Sequence, residues 1–464
     1  MTDLPSGWTS ARLDEVAEVR LGRQRSPKNH TGDHMRPYLR AANVGWNGLK
    51  LDDVKSMNFT DEEAKIYRLQ PGDIVLGEAS GSPGEVGKPA IWKGEIEDCC
   101  IQNTLLRVRC HGPDPQYLLH FLRFEALRGA FVKQSRGVGI YHIGATRLSS
   151  WAIPIPPLAE QHRIVDALED ALLILAAGVA NLSRSSARLD SLSRALMKAL
   201  LGSSLLKQRK LGTLLAEKMI NGRSVPTRAG GFPVLRLTAL RGDEIDLAER
   251  KSGAWSLGEA RQYLVHQGDF LVSRGNGSLR LVGRGGLVSQ DPNPDPVAFP
   301  DTLIRVRVDK TAVRPEFLTL VWNSPQVRHQ IEQLARTTAG IYKVNQAMLS
   351  DVAIPVPKLD EQDRIIAQWK ATAQETRRSR AALMTASKRA AQLRISLLST
   401  AFAGRLVPQD PDDEPASELL ARIRAERAAA PPKQKVRSSR TQKELAAPPT
   451  RVTGDNYQQE ALPL

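Results

Sequence analysis

Cysteine is scarce: there are three in 464 residues, Cys99 and Cys100 adjacent and Cys110 beyond them. That excludes a disulfide framework and the paired spacing of a zinc site, so the thiols read as reduced, buried or half-buried side chains. Histidine is sparse too. His30, His34, His111, His120, His142, His162, His266 and His329 are scattered, and His30 and His34 bracket Thr31-Gly32-Asp33 in a loop-like stretch, so no metal site is expected. No run of about 18 apolar residues exists to span a bilayer. Met1-Thr2-Asp3-Leu4-Pro5 lacks the basic-then-apolar pattern of a signal peptide, and a cytoplasmic protein without membrane contact is expected. Catalytic signatures are missing as well. There is no Asn/Asp-Pro-Pro-Tyr/Phe of amino-methylation, and Gly84-Glu85-Val86-Gly87-Lys88-Pro89 fails as a phosphate loop because Ser82 and Pro89 stand at required positions. The chain therefore reads as a non-enzyme that binds no metal and no cofactor of its own.

What is present is positive charge, 65 Lys+Arg against 50 Asp+Glu for a net +15, which makes a polyanion the first partner expected. A 41% apolar fraction over this length is enough for two or three domains with their own cores.

The main feature is an internal duplication. Ile153-Pro154-Ile155-Pro156-Pro157-Leu158-Ala159-Glu160-Gln161 returns as Ile354-Pro355-Val356-Pro357-Lys358-Leu359-Asp360-Glu361-Gln362. Upstream, Pro37-Tyr38-Leu39-Arg40 answers Pro233-Val234-Leu235-Arg236, and Tyr67 with Gly72-Asp73 answers Tyr263 with Gly268-Asp269. Thr104-Leu105-Leu106-Arg107-Val108-Arg109 matches Thr302-Leu303-Ile304-Arg305-Val306-Arg307, and Gly139-Ile140-Tyr141-His142-Ile143 matches Gly340-Ile341-Tyr342-Lys343-Val344. Two equivalent heads, 1–152 and 206–353, are expected. Each mixes strands, such as 105–108 and 303–308, with helices at 115–133 and 315–335.

After each Pro-rich strand end a long helix is expected, forming spacers at 153–205 and 354–403. In the first, Leu168, Leu175, Leu182, Leu189 and Leu196 recur every seven residues, with Val165, Leu172, Val179 and Leu200 at the alternate seam position, interrupted by Ser186 and Ser193. The second seam is poorer: Ile366, Trp369, Ala373, Leu383, Ala390 and Leu397 alternate with Thr376, Arg380 and Arg394, and its small residues would let two helices approach closely. The fold class expected is α+β: two tandem mixed α/β domains separated by two long helices in an antiparallel coiled coil, with a pseudo-twofold internal repeat. A helix over 158–201 would run about 66 Å. Residues 416–428 read as a short amphipathic helix in a partner-docking segment, 404–428, followed by a basic, disordered tail at 429–464.

Together the duplicated Ile-Pro-(Ile/Val)-Pro-x-Leu-x-Glu-Gln, the Gly-Asp motif, Pro5-Ser6-Gly7-Trp8 and Gly404-Arg405-Leu406-Val407-Pro408-Gln409-Asp410-Pro411 resemble the specificity (S) subunit of type I restriction-modification systems over about residues 5–426. The resemblance implies that each head is a target recognition domain for double-stranded DNA. It also implies two modification subunits that methylate adenine with S-adenosylmethionine, and restriction subunits that cleave DNA with ATP and Mg. A related system with a fused nuclease-methyltransferase partner is the alternative; a free-standing enzyme and a purely structural adaptor are the rivals.

Reading DNA needs phosphate contacts for register and Arg, Lys, Asn or Gln at base edges. The candidates in the first head are Arg23, Gln24, Arg25, Arg40, Asn43, Ser80, Ser82, Lys88, Arg136, Tyr141 and His142. In the second they are Arg223, Arg236, Arg241, Ser273, Arg274, Asn276, Ser278, Arg280, Arg336, Tyr342 and Lys343. Because these loops differ between heads, an asymmetric bipartite target is expected, with half-site centres about 34 to 36 Å apart.

Overall fold

The computed structural model describes residues 4–133, 140–201, 207–338 and 340–429. It divides into two compact units: one runs to Leu168 and resumes at Leu397, and the other is Glu169–Ser396.

The first unit contains β1 (Thr9–Arg12), β2 (Ala17–Leu21), β3 (Ile74–Gly77), β4 (Ala79–Ser80), β5 (Pro89–Ile91), β6 (Leu105–Cys110), α1 (Pro115–Leu127), β7 (Tyr141–His142), β8 (Ala152–Ile155) and the start of α2 (Leu158–Leu201). An antiparallel sheet in the order β2-β6-β3-β5 forms its centre. Helix α1 starts where the Asp114 carboxylate accepts the Tyr117 N–H at 2.8 Å and Pro115 fits the first turn. It buries Tyr117, Leu118, Phe121 and Leu122 against Ile74, Leu76, Leu106 and Val108. The single helix expected at 115–133 is interrupted at Gly129, whose positive φ of 70° ends one helix before Ala130–Lys133 begins.

The second unit repeats the plan with β9 (Gln208–Lys210), β10 (Ile220–Asn221), β11 (Phe270–Ser273), β12 (Gly275–Asn276), β13 (Gly285–Leu287), β14 (Leu303–Val306), α3 (Pro315–Trp322), β15 (Arg336–Thr338), β16 (Ile341–Lys343), β17 (Ala353–Pro355) and most of α4 (Leu359–Phe402). Its sheet order β10-β14-β11-β13 is that of the first head, extended by two short strands. Here too the long helix expected at 315–335 is split, because Pro325 opens a new helix after extended Ser324.

The duplicated motifs turn out to be internal brackets. Arg109 grips Asp73 through two bonds of 2.7 Å, and Arg307 grips Asp269 at 2.5 and 3.1 Å. Buried Arg107 donates to the carbonyls of Ile66 and Arg68, as Arg305 does to those of Gln262 and Leu264. At each spacer entrance a buried glutamine ties three segments. Gln161 Oε1 accepts the Asp114 N–H at 2.9 Å while its Nε2 donates to Pro156 O; Gln362 Oε1 accepts the Arg314 N–H at 2.8 Å while its Nε2 donates to Pro357 O and Ala312 O. Strands β1 with β8, and β9 with β17, hold the Ile-Pro motif of each copy in an antiparallel pair.

Within the second unit, Met197, Leu200 and Leu201 near the end of α2 pack on the head's core beside Ile366 and Trp369 near the start of α4, so the helices run antiparallel. Asp190 pairs with Arg380 further along. In the first unit Ile164, Val165 and Leu168 share a core with Leu398, Ala401 and Phe402. Leu172 is buried, and Leu175, Leu182, Leu189, Leu196, Leu383 and Leu397 are half-buried. One expectation is corrected: Val179 is 41% exposed, so the seam does not cover it. Leu189, Leu192, Ser379, Ala382, Leu383 and Ala386 line a groove of about 720 Å³ between the helices.

The apolar face expected to await a partner in 404–428 is already covered. Helix α5 (Ala416–Ala429) buries Leu419, Leu420 and Ile423 in the first head's core, and Arg427 donates to the carbonyls of Asp14 and Glu15. The tail from residue 430 onward lies outside the described residues, and among those described no helix is long and apolar enough to cross a membrane.

Two stability effects are expected. Gln362→Ala leaves the Arg314 N–H and two carbonyls unsatisfied and should cost about 2 kcal/mol in urea denaturation. Replacing Leu175, Leu182 and Leu189 by Ala should cost about 1 kcal/mol each, below the roughly 2 to 5 of full burial, because half of each side chain remains in water; a melting temperature unchanged in the triple variant would contradict the seam.

Candidate nucleic-acid interface

Antiparallel order places the end of β2, the end of β3 and the start of β6 at one end of the first sheet, where the turn at residues 102–104 collects the candidate loops. Gly22 N donates to Leu105 O and Arg23 N to Ile101 O, both at 3.0 Å. Ala41 N donates to Thr104 Oγ1 at 3.0 Å, and Glu78 N to Thr104 O at 2.9 Å. Ile143 N then donates to Glu78 O at 3.0 Å, bringing β7 onto β4 with Tyr141 opposite Ser80. The second head is built alike: Gly222 N donates to Leu303 O, Arg274 N to Thr302 O and Val344 N to Arg274 O, and β16 lies between β12 and β15 with Tyr342 opposite Asn276.

A correspondence that sequence reading missed explains how tightly these loops are seated. A Cβ on Gly22 would stand 2.2 Å from Gln102 O, and one on Gly222 would stand 2.2 Å from Pro300 O, so both Gly-Arg steps exclude any larger residue. Aligning Gly22-Arg23 with Gly222-Arg223 was the available signal.

Not every predicted reader lies at this end with its polar groups free. Asn43 is buried and spent on a turn, its Oδ1 accepting from Arg40 N and its Nδ2 donating to Lys50 O and Asp53 O. Ser273 is buried within β11. Arg241 lies at the opposite end of its sheet, since its strand pairs with Glu244, which faces Leu287, the partner of Phe270 at the start of β11. It pairs there with Glu249 at 2.6 Å. Arg236 turns back toward Arg250 O at 3.5 Å. Arg136 lies outside the described residues.

The two ends carry different charge. In the first head Arg23 pairs with Glu63 at 2.7 Å and lies 5.2 Å from the centre of the Phe59 ring; Arg40 pairs with Asp53 at 2.6 Å, and His142 Nδ1 stands 3.1 Å from Glu78. Lys88 pairs with Glu85 and, by that hydrogen bond, holds its carboxyl below the ordinary range. Gln24 and Arg25 remain exposed. In the second head Arg223, Arg274, Arg280, Arg336 and Lys343 form no ion pair among the described residues. Ser82 and Ser278 close the turns after β4 and β12 through their backbone N–H groups. Among the described residues no group of three His, Cys, Asp or Glu side chains could hold a metal. Burial pushes the Cys99 and Cys100 thiols up to about 12.

The family described as "Type I restriction modification DNA specificity domain" matches residues 5–176. The chain is 28% identical to the type I restriction enzyme EcoKI specificity subunit of Escherichia coli (strain K12), over 92% of this chain and 97% of that protein. It is 27% identical to the StySPI specificity subunit of Salmonella potsdam, over 92% and 96%. Over most of its length the chain is similar to type I specificity subunits. A solved chain from a study of complex assembly and conformational transition of the type I restriction-modification system shares this chain's fold with a TM-score of 0.68 at 19% identity, covering 87% of this chain and 100% of that one.

A cation without an ion-pair partner releases more counterions on meeting a DNA phosphate than a paired one does. Arg274→Ala and Lys343→Ala should each reduce the slope of log binding constant against log salt by about 1, while Arg40→Ala, whose charge Asp53 already offsets, should change it less. Equal slopes for all three, measured by titration across salt, would contradict the charge asymmetry.

Proposed function

We propose that this S subunit recognises an asymmetric bipartite sequence in double-stranded DNA, one half-site at the loop end of each head. The helices α2 and α4 set the unread gap. The observation that supports this reading is one scaffold carrying two unlike loop sets: bracket residues recur in both heads, while Glu78 and His142 of the first stand where the second has Arg274 and Lys343. Equal scaffolds hold the two readers in like geometry, and unlike side chains give them unlike preferences.

In this role the chain is the non-catalytic targeting subunit of a cytoplasmic complex. Two modification subunits methylate adenine with S-adenosylmethionine and restriction subunits cleave with ATP and Mg, all on sequences that this chain selects. The brackets are assigned no reading role, because their arginines are engaged by Asp73, Asp269 and backbone carbonyls.

Mapping adenine methylation in cells with and without the chain should reveal one asymmetric motif of two half-sites that vanishes with it. Four residues inserted into α2 should change the gap and leave both half-sites intact. A contiguous motif, or half-sites altered by the insertion, would contradict the reading.

A further inference from the structure

Strands β4 and β12, which pair with β7 and β16 to form a short ribbon at the loop end of each head, leave through the same pattern, Ser80-Gly81-Ser82 in one head and Asn276-Gly277-Ser278 in the other. Both turns close alike: Ser80 Oγ accepts the Ser82 N–H at 3.0 Å, and Asn276 Oδ1 accepts the Ser278 N–H at 2.9 Å. This is the local closure that Ser and Asn side chains favour. Because a backbone N–H only donates, the closure orients the Asn276 amide, with its oxygen facing the turn and its nitrogen facing away. The Nδ2 of half-exposed Asn276 then offers two protons that no described residue accepts. At Ser80 the same closure uses an acceptor lone pair and leaves one hydroxyl proton to offer. Opposite them stand Tyr141 and Tyr342, identical in the two heads and so unable to distinguish one half-site from the other.

We infer that Ser80 and Asn276 are specificity-determining residues that read base edges as donors, Asn276 selecting the paired acceptors of guanine and Ser80 a single acceptor. This rests on the proposed reading of DNA by the ribbons. Guanine O6 and N7 are adjacent acceptors in the major groove. The usual bidentate contact of asparagine with adenine requires the amide oxygen to face the base, and the Ser278 N–H turns that oxygen inward. One turn geometry thus sets the polarity of the contact, and the side chain sets how many protons it delivers.

The test uses the full chain with its modification subunits, selecting targets from a randomised duplex library. Asn276→Asp keeps the turn closed and replaces two donors with an acceptor, so one position of the second half-site should shift from guanine to cytosine, whose amino group donates. Asn276→Ser, the residue of the other head, keeps the closure and one donor; discrimination at that position should fall roughly ten- to a hundredfold. The first half-site stays as it was in both. If Asn276→Asp abolishes binding, Asn276→Ser decides, and undiminished discrimination overturns the inference. An unchanged second half-site in both variants, with Arg274→Ala still weakening binding, overturns it too and leaves the ribbon as the DNA contact. If Arg274→Ala and both Asn276 variants change neither affinity nor target, the ribbon does not touch DNA and the underlying reading fails.

Discussion

The architecture depends on the arginine brackets at the centre of each sheet. Arg109 on Asp73 and Arg307 on Asp269 pin the penultimate residue of β6 and the residue just after β14 to the turn that precedes the neighbouring strand, with both partners in each pair largely withdrawn from water. Removing one partner would strand the other charge, so the pair is retained as a unit. With these brackets and the buried glutamines fixed, the opposite end of each sheet can vary its loops without disturbing the register of the strands.

This division explains what was legible in the sequence. Two heads, two long helices and the short C-terminal helix could all be read, because Pro-rich helix starts, heptad leucines and a repeated order of motifs are local signals. The helix breaks at Gly129 and Pro325 are local as well, but they were outweighed by continuous apolar patterning. The fate of α5 was not readable, since Leu419 and Ile423 pack beside Gly112, some three hundred residues earlier in the chain.

At the candidate site the loops were easier to read than the residues. Ser80 with Tyr141 and Asn276 with Tyr342 come together through strand pairing, as the repeat suggested. Asn43 and Ser273 have the right chemistry for a reader, yet backbone groups or burial claim them. Arg23, Arg40 and Lys88 have the right charge, yet Glu63, Asp53 and Glu85 oppose it. Composition reports a side chain's capacity for hydrogen bonds and charge; only folding reveals how much has already been used.

The packing of Phe402 against Tyr117, Phe121 and Phe124, with Leu420 in the same core, also bears on synthesis. The unit ending at Ser396 is continuous in the chain, whereas the first head lacks part of its interior until the last helical residues have left the ribosome. Domains ordinarily mature from the N-terminus during translation. Here the order is reversed: the domain made first waits with uncovered aromatic surface while the domain made second assembles, and chaperones would meet the nascent chain at Tyr117 and Phe121.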